Sequence, residues 1–251
     1  MGWMVGAGLG FLMGGPLGAV AGAAVQHVFL GREADKVLRA GPQAEKNQEA
    51  LFITYLVSIM TKVAMADGHI SVEEKNTIHN FLSKQLRYTG DNLRYIDSLI
   101  EETERVNPGL EEIAASFRKI TNHQSCLMLL DISYQVALSD QLISPEEQRE
   151  LNRLALSLDV TPYENERIKH RYTTGGGRVS TEQNVGRDDY TVLGLTPGAT
   201  AAEVKAAYRQ MASQYHPDKV AHLGKELVDF ANKKFSEINT AYQNIRRQQS
   251  F

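Results

Sequence analysis

Hydrophobic and polar positions follow three regimes along this chain. From Met1 to Gly31 no Lys, Arg, Asp or Glu occurs, and Trp3–Leu30 is almost wholly apolar or glycine. From Asn47 to Tyr172 apolar residues recur at helical spacing, through Leu51, Phe52, Tyr55, Leu56, Ile59 and Val63 and again through Leu127, Leu130, Tyr134 and Leu138. In the last quarter Val204, Tyr208 and Met211 fall on one helical face. Leu227, Phe230, Ala231, Phe235, Ile238, Ala241, Tyr242 and Ile245 form a second, longer stripe. Helix starts are marked by Ser71-Val-Glu-Glu74, Ser144-Pro-Glu-Glu147, Thr161-Pro-Tyr-Glu164 and Thr200-Ala-Ala-Glu203. Each sets a hydroxyl three residues before a carboxylate, two of them with Pro at the first helical position. The expected fold class is all-α.

The first regime is long enough to cross a bilayer, since about 20 helical residues suffice. Gly2, Gly6, Gly10, Gly14, Gly18 and Gly22 recur every fourth residue. Such a ladder of small residues lets two helix backbones approach closely in lipid, which predicts a homodimer, with Pro16 as a kink. Arg32, Lys36 and Arg39 follow the stretch, so the positive-inside rule puts the N-terminus outside (periplasmic) and the bulk of the chain in the cytoplasm, at the inner membrane. Two other readings compete. A cleaved signal peptide would find a small-residue site at Ala21-Gly22-Ala23 but lacks a basic leader, and a glycine-rich flexible or soluble zipper segment is the other, since many glycines lower both hydrophobicity and helix propensity.

The resulting layout is a glycine-rich transmembrane anchor (1–31), a charged juxtamembrane connector (32–46), a helical domain (47–172), a flexible linker (173–187) and a C-terminal helical hairpin (188–251). The linker holds Thr173-Thr-Gly-Gly-Gly177 and no apolar periodicity, so the hairpin is expected to swing relative to the membrane. A net charge of −3 with 23% charged residues gives no reason to expect nucleic acid as a partner. Cys126 is the single cysteine, set in an apolar run, which excludes a disulfide framework. His69, His79, His123, His170 and His222 show no ligand spacing, no cofactor motif occurs, and no nucleophile stands beside a base, so an enzyme is not expected.

An internal repeat lies in the middle domain. Ala64–Glu74 matches Ala137–Glu147 at an offset of 73, each reading as helix, acidic turn and capped helix. Asp67, Glu73 and Glu74, with Asp140, Glu146 and Glu147, offer hard oxygen ligands for Ca²⁺ or Mg²⁺. The spacing does not match an EF-hand loop, and capping is the favoured role of the glutamates. These DG.IS..E-like turns resemble those of the TerB-like (tellurite-resistance) helical domain.

Between the two C-terminal stripes stands Tyr215-His-Pro-Asp-Lys219. Pro217 cannot continue a helix and biases His216 away from helical geometry, so a loop is expected to start here, with the tripeptide at the tip of a helical hairpin. The stretch from Asp188 to Ile245 resembles the J-domain of the DnaJ family, whose short first helix would be Tyr190–Leu195. That resemblance implies binding to an Hsp70 (DnaK-type) partner and stimulation of its ATP hydrolysis, with His216, Pro217 and Asp218 essential. It also implies a basic face, here Lys205, Arg209 and Lys219, while Ala206, Gln210 and Gln214 stand where family members often carry Lys or Arg. The order of anchor, TerB-like domain and J-domain looks like that of DjlA-type membrane-anchored co-chaperones. That implies membrane lipid and an unknown client or partner of the middle domain as further contacts. The alternative is a membrane-bound stress-signalling scaffold acting through the middle domain.

Overall fold

The computed structural model describes residues 44–138, 143–173 and 189–251. The proposed anchor with its glycine ladder, most of the linker and Asp140 lie outside the described residues. Among these the structure is all-α. Helices α1 (Ala44–Ala64), α2 (Val72–Lys84), α3 (Asp91–Val106), α4 (Leu110–Ile120), α5 (His123–Ala137), α6 (Pro145–Ser157) and α7 (Pro162–Thr173) build the middle bundle. Helices α8 (Asp189–Val192), α9 (Ala201–Gln214), α10 (Pro217–Val220) and α11 (Lys225–Gln249) follow, with 3₁₀ turns at Met65–Asp67 and Ala221–Leu223.

Two helices form the axis of the bundle because they are apolar on every side. In α5 each residue from Ser125 to Val136 is buried, and in α1 Ala50–Thr61 is buried likewise. The stretch Glu49–Asp67 is long and apolar enough to cross a membrane, yet 78% of it is covered by α2–α6 and their neighbours, so its hydropathy is that of a core helix. Several of its buried hydroxyls are bonded within the helix or to α3. Thr54 and Thr61 hydroxyls donate to the carbonyls of Ala50 and Val57 (2.7 and 2.8 Å), and Thr103 donates to Ser58 at 3.2 Å. Phe117 of α4 closes the axis, 5.4 Å from the rings of both Phe52 and Tyr55. Cys126 is buried here, and burial pushes its thiol up to about 12, so it packs as an apolar residue.

The repeat has a structural counterpart. Ser71 and Glu74 close a reciprocal cap (Glu74 N–H to Ser71 Oγ 3.1 Å, Ser71 N–H to Glu74 Oε2 2.7 Å). Ser144 and Glu147 repeat it at 3.1 and 2.8 Å. Ahead of the first, Gly68 ends the turn in the left-handed region (φ 105°), where an L side chain is strained.

The C-terminal helices pack against the middle bundle. Helix α9 lies on α5, the 221–223 turn lies on α1, and Phe81 of α2 meets Phe230 of α11 edge to face at 6.2 Å. The expected freedom of the hairpin to swing is thus at odds with an extensive packed joint.

Candidate functional site

The hairpin is built from the two predicted stripes. Val204, Ala207 and Met211 of α9 are buried, as are Leu227, Phe230, Ala231, Ile238, Ala241 and Ile245 of α11. Tyr208 stacks on Tyr242 at 4.2 Å and donates to Asn239 at 2.8 Å. Thr200 and Glu203 close the expected cap at the start of α9, and the backbone N–H of Thr200 holds the Glu203 carboxyl below its ordinary range. The short first helix is Asp189–Val192 rather than Tyr190–Leu195. The chain turns at Gly194 (φ 67°), where a Cβ would stand 2.9 Å from the Arg167 carbonyl of α7.

At the tip of the hairpin the chain leaves α9 through Tyr215 and passes His216 in an extended conformation (φ −66°, ψ 126°). It then re-enters a helical turn with Pro217 as first residue. The expectation of an open loop is refined here: the fixed φ of proline suits the first helical position, where its missing N–H is no loss. His216 caps this turn, its Nδ1 accepting the N–H of Asp218 at 3.2 Å, which leaves the proton of a neutral ring on Nε2. The imidazole rests edge-on against Phe235 at 5.9 Å. The side chains of His216 and Asp218 are 46% and 88% exposed, so both face solvent from a capped turn.

Lys205 and Arg209 stand exposed one turn apart on the outer face of α9, Lys205 with its ammonium 4.7 Å from the Phe251 ring centre. The side chain of Lys219 is exposed, while its carbonyl accepts from Asn122 of the middle bundle at 3.1 Å. The opposite flank of α9 is covered. Gln210 accepts from Arg167 of α7, and Gln214 is only 3% exposed.

Directly behind the tip lies a buried ionic cluster that the sequence pattern did not single out. Asp131 of α5, 1% exposed, accepts from Arg171 Nη2 at 2.9 Å, from the Tyr172 hydroxyl at 2.9 Å and from the Tyr215 hydroxyl. Burial and the neighbouring Asp131 charge push the Tyr215 phenol well above its usual range. Arg171 is itself buried. Burial disfavours its charge, but Asp131 and the phenols around it outweigh this and hold the guanidinium above its ordinary value. A carboxylate directly after the apolar run Cys126–Leu130, and followed by Ile132, was the available signal.

Glu74 and Glu147 of the two acidic turns border one small cavity between α1, α2 and α5. Glu74 and Glu147 are used as caps, Glu146 pairs with Arg149, and Asp67 accepts the His69 N–H at 3.2 Å. Among the described residues no group of three or more His, Cys, Asp or Glu is placed to hold a metal. His79 and His123 each pair with one carboxylate, Asp97 at 2.8 Å and Glu164 at 2.9 Å.

Comparison with known proteins follows the same division of the chain. Residues 54–170 match the family model of the tellurite resistance protein TerB, and residues 188–250 match the DnaJ domain. The co-chaperone protein DjlA of Vibrio cholerae is 30% identical over 258 residues, covering 88% of this chain and 90% of that protein. DjlA of Coxiella burnetii is 29% identical over 267 residues, and DjlA of Escherichia coli K12 is 26% identical over 269; each alignment covers 100% of this chain and 98% of the relative. No solved structure matches the chain. With the tripeptide on a hairpin tip, a TerB bundle before it and relatives aligned from end to end, the chain belongs to the DjlA family of J-domain co-chaperones.

Proposed function

We propose that this protein is a membrane-anchored co-chaperone that binds a cytoplasmic Hsp70 of the DnaK type through His216, Pro217 and Asp218 and stimulates its ATP hydrolysis. The observation that carries this reading is the presentation of the tripeptide. His216 and Asp218 project from a capped, proline-started turn, and Lys205 and Arg209 line the helix that leads to them. Exposed cations in that position steer a negatively charged partner toward the tip. The basic face thus sets how often the partner arrives, and the tip sets what happens when it does.

Anchoring at the inner membrane, with the C-terminal domains cytoplasmic, is supported by the uncharged stretch from Met1 to Gly31 and the basic residues after it. Self-association through Gly2, Gly6, Gly10, Gly14, Gly18 and Gly22 follows from their four-residue spacing. The TerB-like bundle is the part available to choose clients or partners at the membrane face. The test is single-turnover ATP hydrolysis by a DnaK-type Hsp70 in the presence of the full chain in lipid nanodiscs. The parent accelerates hydrolysis, and His216→Gln abolishes the acceleration with helicity and melting unchanged. Equal stimulation by parent and variant would overturn the proposal.

A further inference from the structure

The tripeptide is bracketed by two contacts to a single helix of the middle domain. One residue before His216, the Tyr215 side chain is wholly buried and its hydroxyl donates to Asp131 of α5. One residue after Asp218, the Lys219 carbonyl accepts from Asn122, the cap residue of the same helix. Asn122 and Asp131 are nine residues apart, so their backbones are separated by about 13 Å along α5. The far end of the loop is seated as well. Gly224 packs so closely on Glu49 of α1 that an added Cβ would stand 2.3 Å from its side chain.

Tyr215 is where the backbone departs from α9 (φ −103°, ψ 15°), so its side chain is a handle on the direction in which His216 is aimed. Asp131 is a stiff grip for that handle. Arg171 and Tyr172 hold the carboxylate from the other side, and hydrogen bonds to a buried charge are stronger than neutral ones. Within the hairpin, α11 packs on the Pro217–Val220 turn and Phe235 meets His216 edge-on; the middle domain adds the two polar contacts on either side of the tripeptide. We infer that Asp131 and Asn122 of the TerB-like domain are positioning residues for the His216-Pro217-Asp218 loop, so that the middle domain forms part of the apparatus that activates the Hsp70. The inference rests on the co-chaperone reading above.

The experiment uses the full chain in nanodiscs and follows Hsp70 single-turnover hydrolysis across a range of co-chaperone concentrations. Tyr215→Phe removes one hydroxyl and keeps the buried ring; Asn122→Ala removes the second contact. Losing a hydrogen bond to a buried charge changes an equilibrium by about tenfold or more, so maximal stimulation by Tyr215→Phe should fall about threefold to tenfold. The half-saturating concentration, governed by Lys205 and Arg209, should move less than the maximum does. Amide hydrogen exchange at residues 216–219 should quicken in both variants while exchange in α1 and α5 stays slow, a response that a purely structural contact would not give. Unchanged maximal stimulation in both variants overturns the inference, and so does a rise, which would make the joint a restraint on the loop. A parent protein that fails to stimulate at all would instead sink the co-chaperone reading, so the two failures are distinct.

Discussion

Replacing Asp131 by Asn should be among the most damaging single changes available in the described residues, although the two side chains have nearly the same shape. Asp131 is 1% exposed and Arg171 is 7% exposed, so the substitution leaves a guanidinium inside the protein without its counter-charge. Removing one member of a buried ion pair costs about 3–5 kcal/mol. For a protein of this size about 1 kcal/mol corresponds to roughly 2–4 °C in melting temperature, giving an expected loss of about 6–20 °C. The matched control is Asp131→Asn combined with Arg171→Met, which removes both charges and should be less destabilised than Asp131→Asn alone. Thermal and urea unfolding of the full chain, followed by far-UV circular dichroism, reads both. The Tyr215 phenol adds a pH signature. Its value is raised in the folded protein, first by burial and then by Asp131, so its contribution is complete below the unfolded value of about 10 and is lost as pH climbs toward the folded one. Alkaline loss of stability above pH ~10 should therefore be shallower in Tyr215→Phe than in the parent. A loss under about 1 kcal/mol for Asp131→Asn, or a double variant less stable than the single, would refute the reasoning, because the cluster would then be solvated or unpaired in the molecule.

Two further outcomes follow from local geometry. Gly224→Ala should lower stability by about 1–3 kcal/mol, because the position combines a positive φ (99°) with a Cβ site 2.3 Å from Glu49, and Glu49→Ala in the same chain should recover the steric part only. At the repeated caps, Ser71→Ala or Ser144→Ala should cost about 1 kcal/mol each, whereas Glu74→Gln or Glu147→Gln should cost no more than the helix-dipole contribution of about 0.3–1 kcal/mol. A melting temperature that rises with Ca²⁺ and loses that response in Glu147→Gln would show the glutamates at work on a metal instead.

What could be read from the residues alone was local. Capping at Ser71, Ser144, Thr161 and Thr200 depends on side chains three positions apart, and all four close as expected. The two stripes of the hairpin and the exposed tip likewise depend on spacing within one or two helices. The joint between the domains was not legible, because it joins residues far apart in the chain: Asp131 meets Tyr172 across 41 positions and Tyr215 across 84. Hydropathy also misleads locally. Glu49–Asp67 passes the length and composition test for a membrane span and is instead the covered axis of the bundle, a distinction that only the surrounding helices make.

The joint accounts for an oddity of the basic face. The J-domain resemblance implies Lys or Arg at the positions that Ala206, Gln210 and Gln214 occupy here, which from the residues alone reads as weakened electrostatic steering, and the packing bears on the two glutamines. In the folded protein Gln210 and Gln214 face the middle domain and border one small cavity together with Arg167 and Arg171. A cation at position 214 would be almost wholly removed from water, which desolvation opposes, in a cavity that already holds two guanidiniums beside the single carboxylate of Glu164. At 210 an uncharged amide fits, accepting from Arg167. Positive charge on α9 stands on the outer stripe of Lys205 and Arg209; Ala206 is exposed too, and its lack of charge has no explanation in the packing. Uncharged side chains at 210 and 214 and a J-domain seated on its neighbour are thus two consequences of one packing arrangement, and a chain that restored Lys at 214 would regain steering charge only by loosening the contact that aims His216.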